Sequence, residues 1–102
     1  MYRASDELEH ADWLTDLEHA ADRLELDSRA RSAARDIFLS TVPESKRSKQ
    51  PALASALYVG ALVAGQQRAQ GDVADAVGVS RLAVQQRWKD QLEAAGLDAP
   101  DW

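Results

Sequence analysis

Apolar residues recur at three- and four-residue steps along the whole chain, and no alternating apolar segment bounded by hairpin turns interrupts them. The pattern predicts an all-α domain. Leu8, Ala11, Leu14, Leu17, Ala21 and Leu24 make the stripe of a first helix, opened by Ser5 as N-cap with Asp6 and Glu7 in its first turn and closing near Leu24. Leu26-Asp27-Ser28 offers a new cap behind an apolar staple residue. It starts a second helix that ends before Pro43 and faces inward with Ala30, Ala33, Ala34, Ile37, Phe38 and Thr41.

A polar, basic loop follows, and Pro51 then stands where a first-turn proline is tolerated. The third helix runs from there to Ala64, with Gly65 as its stop. Ala52, Leu53, Ala56, Leu57, Val59, Ala61, Leu62 and Val63 leave it apolar almost all the way round, so other helices must surround it. Ser55 and Gly60 interrupt this stretch, and its length of about 13 residues falls short of the roughly 20 that a membrane crossing needs. A short helix is predicted from Asp72 to Val77, a turn at Gly78, and a longer helix from Ser80 to about Ala95 closed by Gly96. Residues 1–102 read as one domain of five helices, with 97–102 as a loosely held tail.

Charge sharpens this picture. The 102 residues carry 17 acids against 12 bases, a formal charge of −5 that argues at first against a nucleic-acid partner. Its distribution matters more: residues 1–27 carry −7, 28–69 carry +5 and 70–102 carry −3. Eleven Asp against six Glu, and nine Arg against three Lys, fit a salt-adapted surface, although an ordinary acidic protein poor in lysine has the same composition. Met1 to His10 is polar and acidic, unlike a signal peptide, so a cytoplasmic location is expected. The absence of cysteine excludes disulfides and thiolate metal sites.

Residues 70–89, QGDVADAVGVSRLAVQQRWK, have the spacing of a helix-turn-helix. Ala74 is small where two helices cross, Gly78 permits a positive φ, and Val73, Val77, Val79 and Val84 fill the wedge between them. Ser80 caps the second helix. Arg81, Leu82, Gln85 and Gln86 then lie on its outer N-terminal half, where Arg can fork onto guanine and Gln onto adenine. The same spacing also fits a packing unit or a protein-binding hairpin.

The run VSRLAVQQRWK at 79–89, preceded by DVADAVG at 72–78, resembles the end of the cyclin-like repeat of archaeal transcription factor B, the counterpart of eukaryotic TFIIB. PALASALYV at 51–59 is similar to the alanine-rich central helix of that family, which also follows a basic loop. The resemblance covers residues 28–95 and, more weakly, the first helix. It implies a five-helix cyclin-like fold around a buried third helix, with a C-terminal helix-turn-helix that reads a promoter element beside the TATA box and a contact with the TATA-binding protein. With the salt-adapted composition it implies a haloarchaeal source. By the same resemblance, Ser80, Arg81, Leu82 and Gln85 would contact bases, joined by Gln86 from its place on the outer half of the helix, and Arg68, Gln70, Lys89, Lys46, Arg47 and Lys49 would contact phosphates. The zinc-ribbon cysteines, the polymerase-reaching segment and a second repeat are not in the sequence, so a regulator, accessory factor or decoy is expected rather than a complete initiation factor.

Other residues point elsewhere or nowhere. His10 and His19 are too few for a metal site, no nucleophile–base arrangement stands out, and neither an enzyme nor a cofactor nor a small-molecule substrate is expected. Trp88 reads as core packing; Trp13 either widens the buried face or marks a partner contact, and Trp102 either docks on the domain or marks a partner site. Two rival readings stand beside promoter binding: a protein-interaction module whose DNA face is idle, and a homodimer on a palindrome.

Overall fold

The apolar stripe of the first helix holds from Leu14 onward in the computed structural model, which describes residues 11–41, 46–94 and 96. Among the described residues five helices follow one another: α1 (Ala11–Arg23), α2 (Ser28–Ser40), α3 (Lys46–Val63), α4 (Gln70–Val77) and α5 (Arg81–Ala94). Among the described residues there is no strand. The expected N-cap Ser5, the stripe residue Leu8 and the tail 97–102 lie outside the described residues.

Helix α3 is the centre, packed by α1, α2, α4 and α5, and residues 52–61 are buried without interruption. Phe38, Leu17, Leu53, Leu57, Leu92, Val59, Val73 and Val84 are the largest fully buried side chains, each contributing about 1.5–3 kcal/mol of hydrophobic stabilisation. Two polar side chains share this interior. Ser55 Oγ donates to the Pro51 carbonyl at 2.9 Å, and Gln91 Nε2 donates to Thr41 Oγ1 at 2.8 Å and to the Ala52 carbonyl at 3.1 Å, so neither leaves a buried donor unpaired.

Several boundaries and faces differ from those predicted. Ala11 is exposed at the start of α1; Ala33 and Thr41 are only half-buried, while Leu39 is buried. Leu62 is half-buried and Val63 is 45% exposed, lining an open cavity together with the start of α2. Helix α4 opens at Gln70, two residues early, behind Ala69, which makes no side-chain cap.

The largest correction concerns the basic run, which is the first turn of α3 and not a loop. Pro51 lacks the N–H that would reach the Arg47 carbonyl, and it disfavours a helical Gln50. The turn forms nonetheless, and the Gln50 amide is tied across to α4, a tertiary bond that offsets the local preference.

Glycine stops appear where expected: Gly65 (φ 75), Gly78 (φ 90) and Gly96 (φ 81) take the left-handed conformation after α3, α4 and α5. Helix α1 stops without one. Glu25 adopts φ 55, and the Leu26 N–H reaches back to the Ala21 carbonyl at 3.1 Å.

Asp27, directly behind the apolar Leu26, caps α2, its Oδ1 accepting the Ala30 N–H at 3.0 Å. That bond holds the Asp27 carboxyl below its ordinary value. A depressed carboxylate contributes stability that is present above its unfolded-state pKa and is lost as pH falls through the lower folded value. The thermal midpoint is therefore expected to drop below about pH 4, and Asp27→Asn, which caps without titrating, should flatten that part of the profile. Identical acid limbs in the two proteins, followed by circular dichroism, would contradict this assignment.

Candidate nucleic-acid interface

The chain reverses between α4 and α5 because Gly78 takes φ 90 and ψ 32, a left-handed conformation that costs glycine little. The Gly78 and Val79 N–H groups both donate to the Ala74 carbonyl, at 2.8 and 3.0 Å. Ala74 is 1% exposed at the crossing, Val73 and Val84 are buried, and Val77 and Val79 pack half-buried against the core. Ser80 Oγ accepts the Ala83 N–H at 3.2 Å and caps α5.

Helix α5 divides cleanly into two faces. Val84, Trp88, Gln91 and Leu92 turn inward at four- and three-residue steps, and Trp88 meets Tyr58 edge-on with ring centroids 5.4 Å apart. Arg81, Leu82, Gln85, Gln86, Lys89 and Asp90 are exposed. Leu82 is 56% exposed, a large apolar side chain flanked by Arg81, Gln85 and Gln86. The Lys89 ammonium lies 5.6 Å from the centroid of the Trp88 ring.

The residues assigned to phosphates are dispersed. Lys46, Arg47 and Lys49 occupy the first turn of α3, Gln70 is the half-buried first residue of α4, and Lys89 shares α5 with the residues assigned to bases. Arg68 is turned to other work. Its Nε donates to the Leu24 carbonyl at 2.9 Å, Nη2 to Glu25 at 3.3 Å, and Nη1 to Gln66 at 2.9 Å and Gln67 at 3.4 Å. The Asp27 N–H returns a bond to Gln66 Oε1 at 3.0 Å, so the α3–α4 connection and the α1–α2 turn hold one another. An open cavity of about 430 Å³ lies beside this clamp, and Asp72 and Asp75 line it with Arg23 and Arg68.

Two donors that composition and spacing did not single out fix α4 in place. Arg23 Nη1 donates to the Ala76 carbonyl at 2.8 Å and Gln50 Nε2 to the Val77 carbonyl at 2.9 Å. Both carbonyls are orphans of the α4 C-terminus, and no sequence signal marks a cap supplied from 27 or 53 residues away. His19 is exposed, His10 lies outside the described residues, and among the described residues no group of three metal-ligating side chains is assembled.

A family model for the transcription factor TFIIB repeat matches residues 7–94. The chain belongs to that family. Transcription initiation factor IIB of Pyrococcus abyssi is 34% identical to this TFIIB repeat over 83 residues, which are 78% of this chain and 28% of that protein. A protein of the same name from Haloarcula vallismortis is 30% identical over 80 residues, 76% of this chain and 70% of that protein. Transcription initiation factor IIB 7 of Halobacterium salinarum is 31% identical over 77 residues, 72% of this chain and 24% of that protein. The chain thus spans less than a third of the Pyrococcus relative. The all-α, cyclin-like architecture expected from the resemblance is the architecture of this TFIIB repeat, with the third helix buried at its centre. No helix among the described residues is long and apolar enough to cross a membrane.

Proposed function

We propose that this TFIIB repeat acts in transcription regulation by binding promoter DNA, with α4, the Gly78 turn and α5 as a helix-turn-helix and with the TATA-binding protein as partner. One observation carries the reading. Arg81, Leu82, Gln85 and Gln86 stand exposed together on the N-terminal half of α5, while Val84, Trp88 and Leu92 anchor its back in the core. Among the described residues the Arg81 guanidinium and the two amides have no internal partner, and a fork-shaped donor, two amides and an apolar side chain suit guanine, adenine and a thymine methyl. Ser80 adds a short polar group at the helix start.

Lys89, Gln70 and the basic turn of Lys46, Arg47 and Lys49 supply phosphate contacts, which fix register without reading sequence. Arg68 drops out of that set because four backbone carbonyls hold its guanidinium. In concentrated salt, counterion release adds little affinity, so base contacts and the partner protein carry the complex.

Fluorescence anisotropy on a promoter fragment, over a KCl series with and without the TATA-binding protein, tests this directly. Saturable, sequence-dependent binding is expected in at least one condition. Arg81→Ala should lose about 1–3 kcal/mol of discrimination at one base pair while leaving the fold intact. Binding that never saturates in either condition would overturn the reading, and capture of transcription proteins that survives nuclease treatment would point to a protein-interaction module instead.

A further inference from the structure

From the bonds at the end of α4 we infer that Gln50 is a positioning residue, with Arg23 as its companion, that sets the separation between the basic first turn of α3 and the N-terminus of α5. The inference rests on the DNA-binding reading above and adds the device that makes two separate elements act as one surface. A helix leaves its last four carbonyls without intrahelical partners. In α4 the Ala74 carbonyl takes the two turn N–H groups, which leaves the carbonyls of Asp75, Ala76 and Val77, the last two at the end that feeds α5. These are the two that Arg23 and Gln50 occupy, one from α1 and one from α3.

The position of Gln50 in the chain gives this bond its meaning. It follows Lys49, the last base of the turn proposed to meet phosphate, and Val77 is three residues before Ser80, where the base-facing set begins. One 2.9 Å hydrogen bond therefore ties the start of α3 to the end of α4, three residues ahead of the residues proposed to meet bases. The direct packing of α5 on α3, Trp88 against Tyr58 and Gln91 on the Ala52 carbonyl, lies in the C-terminal half of α5, whereas at the α4 seam Arg23, Gln50, Ala76 and Val77 border a cavity of about 260 Å³ that Trp13 also lines. A pair of helices with open space on one side can tilt unless something ties it. The tie is a directional, solvent-accessible bond, so its loss should disturb geometry more than stability.

Gln50→Met keeps length and neutrality and removes the donor. Because the chain has no cysteine, Ser48→Cys and Gln86→Cys place two spin labels without background, and their distance reads the α3-to-α5 separation in the absence of DNA. The Gln50→Met protein is expected to unfold within a few degrees of the parent, to show a broadened distance distribution, and to bind the promoter fragment about tenfold more weakly. The slope of log K against log[KCl] should become shallower by about 1–3, the loss of roughly as many phosphate contacts.

An unchanged distance distribution would overturn the inference whatever the DNA result. So would a broadened one with an unchanged salt slope, since the phosphate contacts would then not depend on the tie. A parent protein with a narrow distance and no saturable DNA binding would overturn the DNA reading and the inference with it. Arg23→Met, which frees the neighbouring carbonyl, carries the same measurements should Gln50→Met fail to fold.

Discussion

Gly60→Ala is expected to cost about 3 kcal/mol of stability and to lower the thermal midpoint by roughly 12–24 °C. In an exposed helix the same change would stabilise by about 1 kcal/mol, because alanine is the better helix former. Here α3 crosses α2 at that residue. A Cβ added at Gly60 would lie 2.6 Å from the Ala34 backbone nitrogen and 2.7 Å from its Cα and its Cβ. No rotamer relieves a clash with backbone, so the two helices must part and open the interior that both share. A natural domain has only about 5–15 kcal/mol in hand, and the loss takes a large share of it. Urea denaturation of Gly60→Ala and of Gly60→Ala/Ala34→Gly checks the cause. Removing the Ala34 methyl takes away one of three short contacts and leaves two, so the double variant should stay destabilised; full rescue would show that the crossing is limited by the side chain alone.

That crossing was not legible in the sequence. Gly60 interrupts an apolar run and reads as a blemish in a buried helix, because the reason for it, Ala34, lies on another helix. What periodicity does record is each helix's own balance of water and core. Leu14, Leu17 and Ala21 on α1, Leu24 just past its end, and residues 52–61 on α3 are buried as their spacing predicts. Local backbone chemistry was legible for the same reason: Gly65, Gly78, Gly96 and the Ser80 cap act within a few residues of themselves. The start of α3 was not, since a proline and a basic run point locally to a loop and the bond from Gln50 to Val77 is a property of the folded chain. The exposed face of α5 could be placed because a helix with Val84, Trp88 and Leu92 inward must turn Arg81, Leu82, Gln85 and Gln86 outward. The phosphate set was harder, because a lone arginine reads as a solvated charge whether it faces a phosphate or a carbonyl.

Arg68 is the case that separates those two roles, and Arg68→Met is expected to cost about 2 kcal/mol and roughly 8–16 °C in thermal midpoint while leaving the salt dependence of DNA binding unchanged. The guanidinium reaches four backbone carbonyls, two of them just beyond the C-terminal end of α1, where a cation also meets the negative end of the helix dipole. Methionine keeps the stem and supplies no donor. The Leu24 carbonyl, at 2.9 Å and half-screened from water, then loses its partner, while the more exposed Glu25 and Gln67 carbonyls turn to solvent, which keeps the loss below that of four buried bonds. The effect should appear as faster amide exchange at residues 24–27 and 66–68 together, because the Asp27–Gln66 bond ties the same two segments. A phosphate-binding Arg68 would give the opposite signature, a near-normal midpoint and a salt slope shallower by about 0.9. Lysine, with one ammonium instead of a planar fork, should restore only part of the stability, since it cannot span carbonyls on both segments at once.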